Sequence, residues 1–205
     1  DRQYTTGTDS LPRRSAQTSL FHLAEALCRW IAPILSFTAA ELRENLPGPR
    51  SASACPAERY EALPDASADD HLDTAFWSEM VIARQQVNTA LELAREQGAL
   101  RGSLDADVAL YAGPELAERL RSLGEELRFV LITSEATVAS LDEAPSEAYE
   151  AEGMALRIVA VPSTSEKCER CWHRRPDVGE HAAHPTLCGR CVTNIEGPGE
   201  VRHFA

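Results

Sequence analysis

Four of the six cysteines in this 205-residue chain lie in one short stretch, CERCWHRRPDVGEHAAHPTLCGRC, residues 168–191. They form two C-x-x-C pairs, and sixteen residues separate the first pair from the second. This spacing is typical of a zinc knuckle, in which each pair binds one side of a tetrahedral Zn²⁺ ion. Four thiolates fill the coordination sphere, so we predict one structural zinc with no open position for a catalytic water. The predicted ligands are Cys168, Cys171, Cys188 and Cys191.

Three histidines, His173, His181 and His184, lie within the same stretch. One of them in place of a thiolate would give a site of three cysteines and one histidine, and this alternative stays open at the level of sequence. A redox role is disfavoured, because a thioredoxin-like motif needs a single C-x-x-C at the start of a helix that follows a strand. A zinc deaminase is also disfavoured, since the chain lacks the H-x-E and P-C-x-x-C motifs of that chemistry.

The first half of the chain predicts helices. Leucines and isoleucines recur at helical spacing over residues 15–35, and Pro33 is expected to end or kink that helix. Thr38 and Glu41 form a capping box that predicts a second helix, which stops at Pro47 and Gly48. Residues 48–72 are rich in Pro, Ala, Ser and Asp and predict a long connection. A third helix is expected between Asp73 and Gly98, and its apolar stripe is interpreted as the core of a bundle: Phe76, Met80, Val87, Leu91 and Ala94.

After Gly98 the apolar periodicity changes. Short strands are predicted over residues 107–111, 127–133 and 155–161, with a helix over 114–123 that begins at a proline. We therefore predict a multidomain fold that is mainly α and then α+β. Residues 1–97 are expected to form part of a helical bundle, residues 98–162 a small α+β unit, and residues 163–205 the four-cysteine zinc knuckle.

The net charge of −12 argues against nucleic-acid binding, but the charge is unevenly distributed. Residues 51–162 carry 21 acidic and 8 basic side chains, whereas residues 163–205 carry 6 of each. Both flanks of the acidic middle therefore offer local basic surfaces. Arginine suits bidentate contacts with phosphate and stacking on bases. The candidate cations are Arg13 and Arg14 beside the first helix and Arg170, Arg174, Arg175 and Arg190 around the cysteines.

The chain shows no P-loop, G-x-S-x-G or G-x-G-x-x-G motif, so we predict no catalytic residue within it. No apolar run reaches the roughly 20 residues that cross a bilayer, and residues 1–10 do not resemble a signal peptide. A cytoplasmic location without membrane association is therefore expected. The sequence lacks an initiating Met and begins on a polar stretch, DRQYTTGTDS, so we expect it to be part of a longer polypeptide.

Several stretches together resemble bacterial isoleucyl-tRNA synthetases. CERCWH, LCGRCVTNI and GEVRHFA are similar to the C-terminal zinc module of that family. The resemblance continues upstream through DRQYT, RWIAPILSFTAAEL, GSLDADVALYAGPEL and GEELRFVLITSEATV, and so covers nearly the whole chain. The tail motif alone is shared with the zinc finger of some DNA glycosylases, but its combination with APILSFTA is more specific to the synthetases.

The resemblance implies a class I synthetase whose helical domain and C-terminal modules grip the anticodon arm of the isoleucine tRNA. The family's adenylate-forming signatures are absent from this chain, so ATP would bind only in a catalytic domain elsewhere in a monomeric parent enzyme. The resemblance implies that the four cysteines are the zinc ligands, and Trp172 and the neighbouring arginines are the candidate RNA contacts. Two alternatives remain open: a zinc-knuckle protein of DNA binding or repair, and a protein–protein adaptor. The sole Lys, Lys167, lies beside the predicted metal site.

Overall fold

The computed structural model describes residues 1–48 and 72–204. The chain divides into two compact units, Asp1–Ser67 and Ala68–Ala205. Most of the connection predicted over residues 48–72 lies outside the described residues. No helix in the described ranges is long and apolar enough to cross a membrane.

The first unit contains three helices, α1 (Arg2–Thr5), α2 (Leu11–Ile31) and α3 (Ser36–Asn45). Helix α2 ends two residues before Pro33, as predicted. The predicted start of the next helix at Thr38 is wrong, because α3 already begins at Ser36. The N–H of Ala39 donates to the Leu35 carbonyl at 2.9 Å, so the helical hydrogen bonds already begin before Thr38.

Much of the apolar surface of α2 is exposed, although its leucines recur at helical spacing. The buried side chains of the first unit's small core are Cys28, Ala32 and Ala39, and the Cys28 thiol donates to the Ala39 carbonyl at 3.2 Å. In contrast, Leu20, Leu23, Leu27 and Trp30 are each about half exposed. Spacings of three, four and three residues place these four side chains along one face of the helix. The described part of the first unit therefore presents an apolar stripe to its surroundings.

The second unit combines helices with a four-stranded mixed sheet. Its elements in chain order are α4 (Thr74–Glu96), β1 (Ala106–Ala112), α5 (Pro114–Ser122), α6 (Leu127–Leu131), β2 (Glu135–Ser140), β3 (Tyr149–Glu150), β4 (Leu156–Pro162) and α7 (Gly189–Glu196). The strand order is β2-β1-β4-β3, in which β1 pairs parallel with β2 and antiparallel with β4. The predicted strands over 107–111 and 155–161 and the predicted helix over 114–123 are confirmed.

Helix α4 packs on this sheet. Its stripe is buried as predicted, but the interpretation as a bundle core is wrong, because Phe76, Met80, Val87 and Leu91 share one hydrophobic cluster with the sheet residues Val108, Leu110, Leu156 and Ile158. Alternate residues of β1 are buried, so the sheet offers a continuous apolar face to the helix. The structure therefore groups α4 with the sheet, whereas the sequence places it in the helical domain of residues 1–97. The division of the chain into three functional domains stays a prediction.

The predicted strand over residues 127–133 is wrong. Residues Leu127–Leu131 form one helical turn, and the strand that pairs with β1 lies downstream at Glu135–Ser140. Leu127, Arg128 and Leu131 are buried, whereas Phe129 is only partly buried. A strand would bury residues 127, 129 and 131 on one face, so this pattern fits a helical turn. Ile132 then ends the helix in the left-handed region at φ 59°.

Candidate metal centre and nucleic-acid surface

The four predicted zinc ligands come together. All four cysteines are buried, and their sulfur atoms lie within 4.8 Å of one another. The Sγ atoms of Cys171 and Cys188 are 3.7 Å apart, and the backbone N–H of Cys188 donates to Cys168 Sγ at 3.4 Å. Four sulfurs at about 2.3 Å from one ion, arranged as a tetrahedron, are about 3.8 Å apart. The cluster therefore has the size and the donor set that a zinc ion needs.

The first C-x-x-C pair lies in a tight turn that closes on itself. The N–H of Trp172 donates to the Cys168 carbonyl, and the N–H of Cys168 donates to the His173 carbonyl, both at 2.9 Å. The turn places Trp172 at φ 67°, in the left-handed region that bulky residues rarely occupy. Such a conformation costs about 1–3 kcal/mol and persists only where the surrounding contacts determine it.

The second pair opens helix α7. Cys188 precedes the helix, and the N–H of its first residue, Gly189, donates to Asp177 Oδ2 at 2.8 Å. A Cβ on Gly189 would lie 2.9 Å from that same oxygen and 3.2 Å from His181 Nε2. The absence of a side chain at Gly189 therefore lets the Asp177 carboxylate cap the helix that carries Cys191.

The histidines near the cluster have other partners. His173 Nδ1 lies 3.3 Å from a guanidinium nitrogen of Arg128, and His184 Nε2 lies 2.7 Å from Glu196 Oε1. Burial lowers the pKa of His173 to about 4, and arginine only donates, so His173 is neutral and accepts at Nδ1. Within the described ranges, the side chains close enough to share a metal ion are the four cysteines alone. The geometry thus favours four thiolates over three thiolates and a histidine.

The thiols influence one another strongly. Hydrogen bonds from the thiols of Cys188 and Cys191 lower the pKa of Cys171, and a hydrogen bond from Arg190 acts in the same direction. The hydrogen bond to Cys171 raises the pKa of Cys188 to about 11, and contacts with Cys171 and Cys188 raise the pKa of Cys191. A divalent cation would displace the protons that these thiols hold.

Two of the predicted RNA-binding arginines join the cysteine-containing segment to the sheet. The Nε atom of Arg174 donates to Asp105 Oδ1 at 2.9 Å, and its backbone N–H donates to Ser134 Oγ at 2.6 Å. Arg175 donates to Glu135 Oε2 at 2.7 Å. Both guanidinium groups are half-buried in ion pairs with acids of the α+β unit, which leaves less of them available to phosphate.

Phe129 lies where the cysteine segment, helix α6 and the C-terminal residues meet. The guanidinium carbons of Arg128, Arg190 and Arg202 lie 4.1, 4.8 and 3.7 Å from its ring centre. The buried carboxylate of Glu126 accepts from the backbone N–H groups of His203 and Phe204, at 2.6 and 2.8 Å. These contacts, together with the ion pairs of the two neighbouring arginines, fix the cysteine cluster to the α+β unit.

The remaining candidate RNA contacts are more accessible. The Trp172 side chain is 58% exposed, and Lys167 Nζ lies 5.9 Å from the centre of its ring. Arg170 is half-buried beside the first cysteine pair. Arg13 is half-buried and Arg14 is exposed, both in the first turn of α2 in the other unit. The structure therefore brings Trp172 and Arg170 together with the cysteines, while nothing relates them to the two arginines of α2.

The charge pattern does not reveal that Asp105, Glu135 and Glu200 are partners of these arginines, because each acid lies at least ten residues away from its arginine in the sequence. Phe129 is also missed, since it lies in the apolar run that predicts a strand.

Two family models match the chain. Residues 1–110 match the anticodon-binding domain of tRNA ligases, and residues 165–194 match a zinc finger found in FPG and IleRS. The second match covers all four clustered cysteines. Together with the geometry of the cluster, it supports zinc binding by this segment.

The chain is similar along its whole length to isoleucine–tRNA ligases. It is 54% identical over 205 residues to that of Pseudomonas aeruginosa strain UCBPP-PA14, 53% to that of Stutzerimonas stutzeri strain A1501 and 52% to that of Shewanella sp. strain MR-4. In each case all of this chain aligns with 22% of the relative, so the chain spans about a fifth of the length of these curated relatives. The resemblance seen in the sequence is confirmed, and the chain belongs to the anticodon-binding domain family of tRNA ligases.

Proposed function

We propose that this chain is the tRNA-binding portion of a cytoplasmic isoleucine–tRNA ligase, the enzyme that attaches isoleucine to its tRNA with ATP. In this proposal the chain positions the anticodon arm and carries one structural zinc ion. The observation that carries the proposal is the presence, in one chain, of an anticodon-binding match over residues 1–110 and a buried four-cysteine cluster. The cluster alone is also compatible with a DNA-repair protein, and the match to an anticodon-binding domain favours tRNA as the ligand.

The zinc is held by Cys168, Cys171, Cys188 and Cys191. Their sulfurs lie within 4.8 Å of one another, close enough to share one ion, and their burial keeps water away from it. When bound, zinc supplies folding free energy to a segment with little core of its own. In the described ranges, the apolar side chains packed against the cysteines are only Val178 and Leu187.

Trp172 is proposed as a platform for an unstacked base of the anticodon loop. A lid over the zinc would bury the indole, whereas most of this side chain is exposed. The left-handed backbone at Trp172 supports a functional role, because strained residues concentrate at functional sites. Lys167 beside the ring and Arg170 on the same turn would contact the adjacent phosphates. Arg13 and Arg14 are proposed as a second phosphate contact, on the helical unit.

The rest of the synthetase chain is the proposed partner of the helical unit. The apolar stripe of α2, formed by Leu20, Leu23, Leu27 and Trp30, is half exposed in the described residues. The curated relatives are several times longer than this chain, so further polypeptide is expected to cover such a stripe. The catalytic site would lie in that further polypeptide, and this chain alone is proposed to be inactive in adenylate formation.

Metal analysis and nuclease footprinting together test the proposal. The purified chain is expected to contain one equivalent of zinc. Added to isoleucine tRNA, it is expected to protect the anticodon arm from single-strand-specific nuclease and to leave the acceptor end accessible. The same chain is expected to show no isoleucine-dependent ATP–pyrophosphate exchange. Protection confined to the acceptor end, or no protection of tRNA at all, would reject the proposal.

A further inference from the structure

Trp172 lies at the tip of a short hairpin, residues 166–175, here named the Trp172 hairpin. The backbone N–H of Arg175 donates to the Glu166 carbonyl at 2.9 Å. The backbone N–H of Cys168 donates to the His173 carbonyl at the same distance, so the two arms pair antiparallel. The direction in which the exposed indole points therefore depends on how the base of this hairpin is held.

Ser134, which lies between α6 and β2, holds the base of the hairpin from the α+β unit. Its side chain is fully buried. The hydroxyl donates to the Leu104 carbonyl at 2.5 Å and accepts from the backbone N–H of Arg174 at 2.6 Å. The backbone N–H of Ser134 donates to the Ala106 carbonyl at 3.0 Å, and its carbonyl accepts from the Arg175 guanidinium at 3.4 Å. All polar groups of Ser134 thus join the hairpin to the start of β1.

Asp105 holds the side chain of Arg174. Its Oδ1 accepts from Arg174 Nε at 2.9 Å, and a terminal nitrogen of the same guanidinium donates to the Ser165 carbonyl at 3.2 Å. The backbone carbonyl of Asp105 accepts from the N–H of Ser163 at 2.8 Å, directly after β4. Two oxygens of this chain therefore already engage the planar fork of Arg174, and both belong to the place where the hairpin leaves the sheet.

The contacts around Phe129 hold other parts of the cysteine segment, namely helix α7 and the C-terminal residues. Within the Trp172 hairpin they reach His173, whose ring centre lies 5.5 Å from that of Phe129 and whose Nδ1 lies 3.3 Å from an Arg128 nitrogen. Loss of the Ser134 contact should therefore loosen the base of the hairpin and leave the four sulfurs together.

We propose that Ser134 and Asp105 are positioning residues for tRNA binding, which act through Arg174 to direct Trp172 toward the anticodon loop. This rests on the tRNA-binding function proposed above. Side chains and loops that become ordered only on binding weaken affinity, so a platform held in place beforehand binds more tightly. Arg174 then holds the hairpin and does not contact phosphate, although its residue type and location suggest such a contact.

The affinity of the full chain for isoleucine tRNA, measured over a range of salt concentrations, tests the proposal. We expect Ser134→Ala and Arg174→Gln each to retain one equivalent of zinc and to bind tRNA about 3- to 30-fold more weakly. Loss of a phosphate contact lowers the slope of log affinity against log salt by about 0.7 to 0.9. We expect this slope to be unchanged in Arg174→Gln, because no phosphate contact is lost.

The matched control is Arg121→Gln. Arg121 donates to the Val138 carbonyl at 3.3 Å, further along β2, so this variant removes the same charge from the same strand without removing a hydrogen bond of the hairpin. Its tRNA affinity is expected to stay within about twofold of the wild type, which is the usual range for a change away from the site.

Combination with Trp172→Ala separates positioning from a general weakening of the fold. If Ser134 acts through the indole, Ser134→Ala should cost less than about twofold in tRNA affinity once Trp172 is already alanine, because the two effects are then not additive. A purely structural role would give the full loss again in the Trp172→Ala background.

The proposal is overturned by a lower salt slope in Arg174→Gln, which would make Arg174 a phosphate contact. It is also overturned if Ser134→Ala binds tRNA as the wild type does, loses its zinc, or costs as much in the Trp172→Ala background as alone. If Ser134→Ala does not fold, as judged by far-UV circular dichroism, Arg174→Gln decides by the same measurements. A wild-type chain that does not bind tRNA would instead reject the proposed function itself.

Discussion

Replacement of Trp172 by alanine separates a role in RNA binding from a role in the metal site. The indole is 58% exposed, so its removal uncovers little buried surface and leaves the four sulfurs in place. We therefore expect Trp172→Ala to retain stoichiometric zinc and to unfold within a few degrees of the wild type. The backbone conformation at this position allows a second test. Trp172 has φ 67°, and alanine in its place keeps the strain of this left-handed conformation.

The expected size of the effect follows from base stacking. One base stacked on an aromatic side chain contributes about 1–3 kcal/mol, which corresponds to a tRNA dissociation constant about 5- to 150-fold weaker in Trp172→Ala. Trp172→Phe keeps a ring and is expected to recover most of this loss. Trp172→Gly also lacks the ring but accepts a positive φ, so it should weaken tRNA binding as much as alanine does. Its stability should exceed that of Trp172→Ala by about 1 kcal/mol.

Fluorescence anisotropy with isoleucine tRNA at a fixed salt concentration measures the affinities, and calorimetry with metal analysis measures stability and zinc content. The platform role is refuted if Trp172→Ala binds tRNA within twofold of the wild type. A joint loss of zinc, stability and tRNA affinity would instead identify the indole as part of the metal site's packing.

Three further perturbations probe how the cluster is supported. Cys188→Ser should lose zinc and locally unfold the cysteine segment, seen as a change in near-UV circular dichroism; stoichiometric zinc in this variant would exclude the four-thiolate site. Gly189→Ala places a methyl group 2.9 Å from the capping carboxylate of Asp177, and loss of that cap should cost about 0.5–2 kcal/mol in urea unfolding; unchanged stability would contradict the capping role. Glu126→Gln weakens two hydrogen bonds to the C-terminal residues at a cost of about 1–3 kcal/mol, and the amides of His203 and Phe204 should then exchange faster with solvent; unchanged exchange would remove Glu126 as their anchor.

The metal cluster could be predicted from sequence because its information is local. Two C-x-x-C pairs define two sharp turns, and each turn aims a pair of sulfurs at a common point regardless of the surrounding fold. The buried stripe of α4 could also be predicted from sequence, since burial of Phe76, Met80 and Val87 follows from helical periodicity alone. The sequence does not predict which element packs against that stripe, because the same apolar stripe can pack on a sheet or on another helix.

The errors arise where partners distant in sequence decide the outcome. The run LRFVLIT satisfies the pattern of a short strand and that of one helical turn. The turn is selected by burial of Arg128 together with Leu127 and Leu131, which a strand would not place on one face. The arginines around the cysteines look like a basic surface until Asp105, Glu135 and Glu200 are placed beside them. The acids that neutralise this surface are supplied by the fold, so composition overstates the charge available to RNA.

The affinity of the zinc-loaded chain for isoleucine tRNA, compared with duplex DNA of similar length at 0.15 M salt and repeated after zinc removal, tests the central claim most directly. The account predicts that tRNA is bound at least about tenfold more tightly than duplex DNA, and that chelation of zinc weakens tRNA binding by a factor like that of Trp172→Ala or more. Equal affinity for the two nucleic acids, or tRNA binding unaffected by the loss of zinc, would contradict the claim that the four-cysteine module serves to hold tRNA.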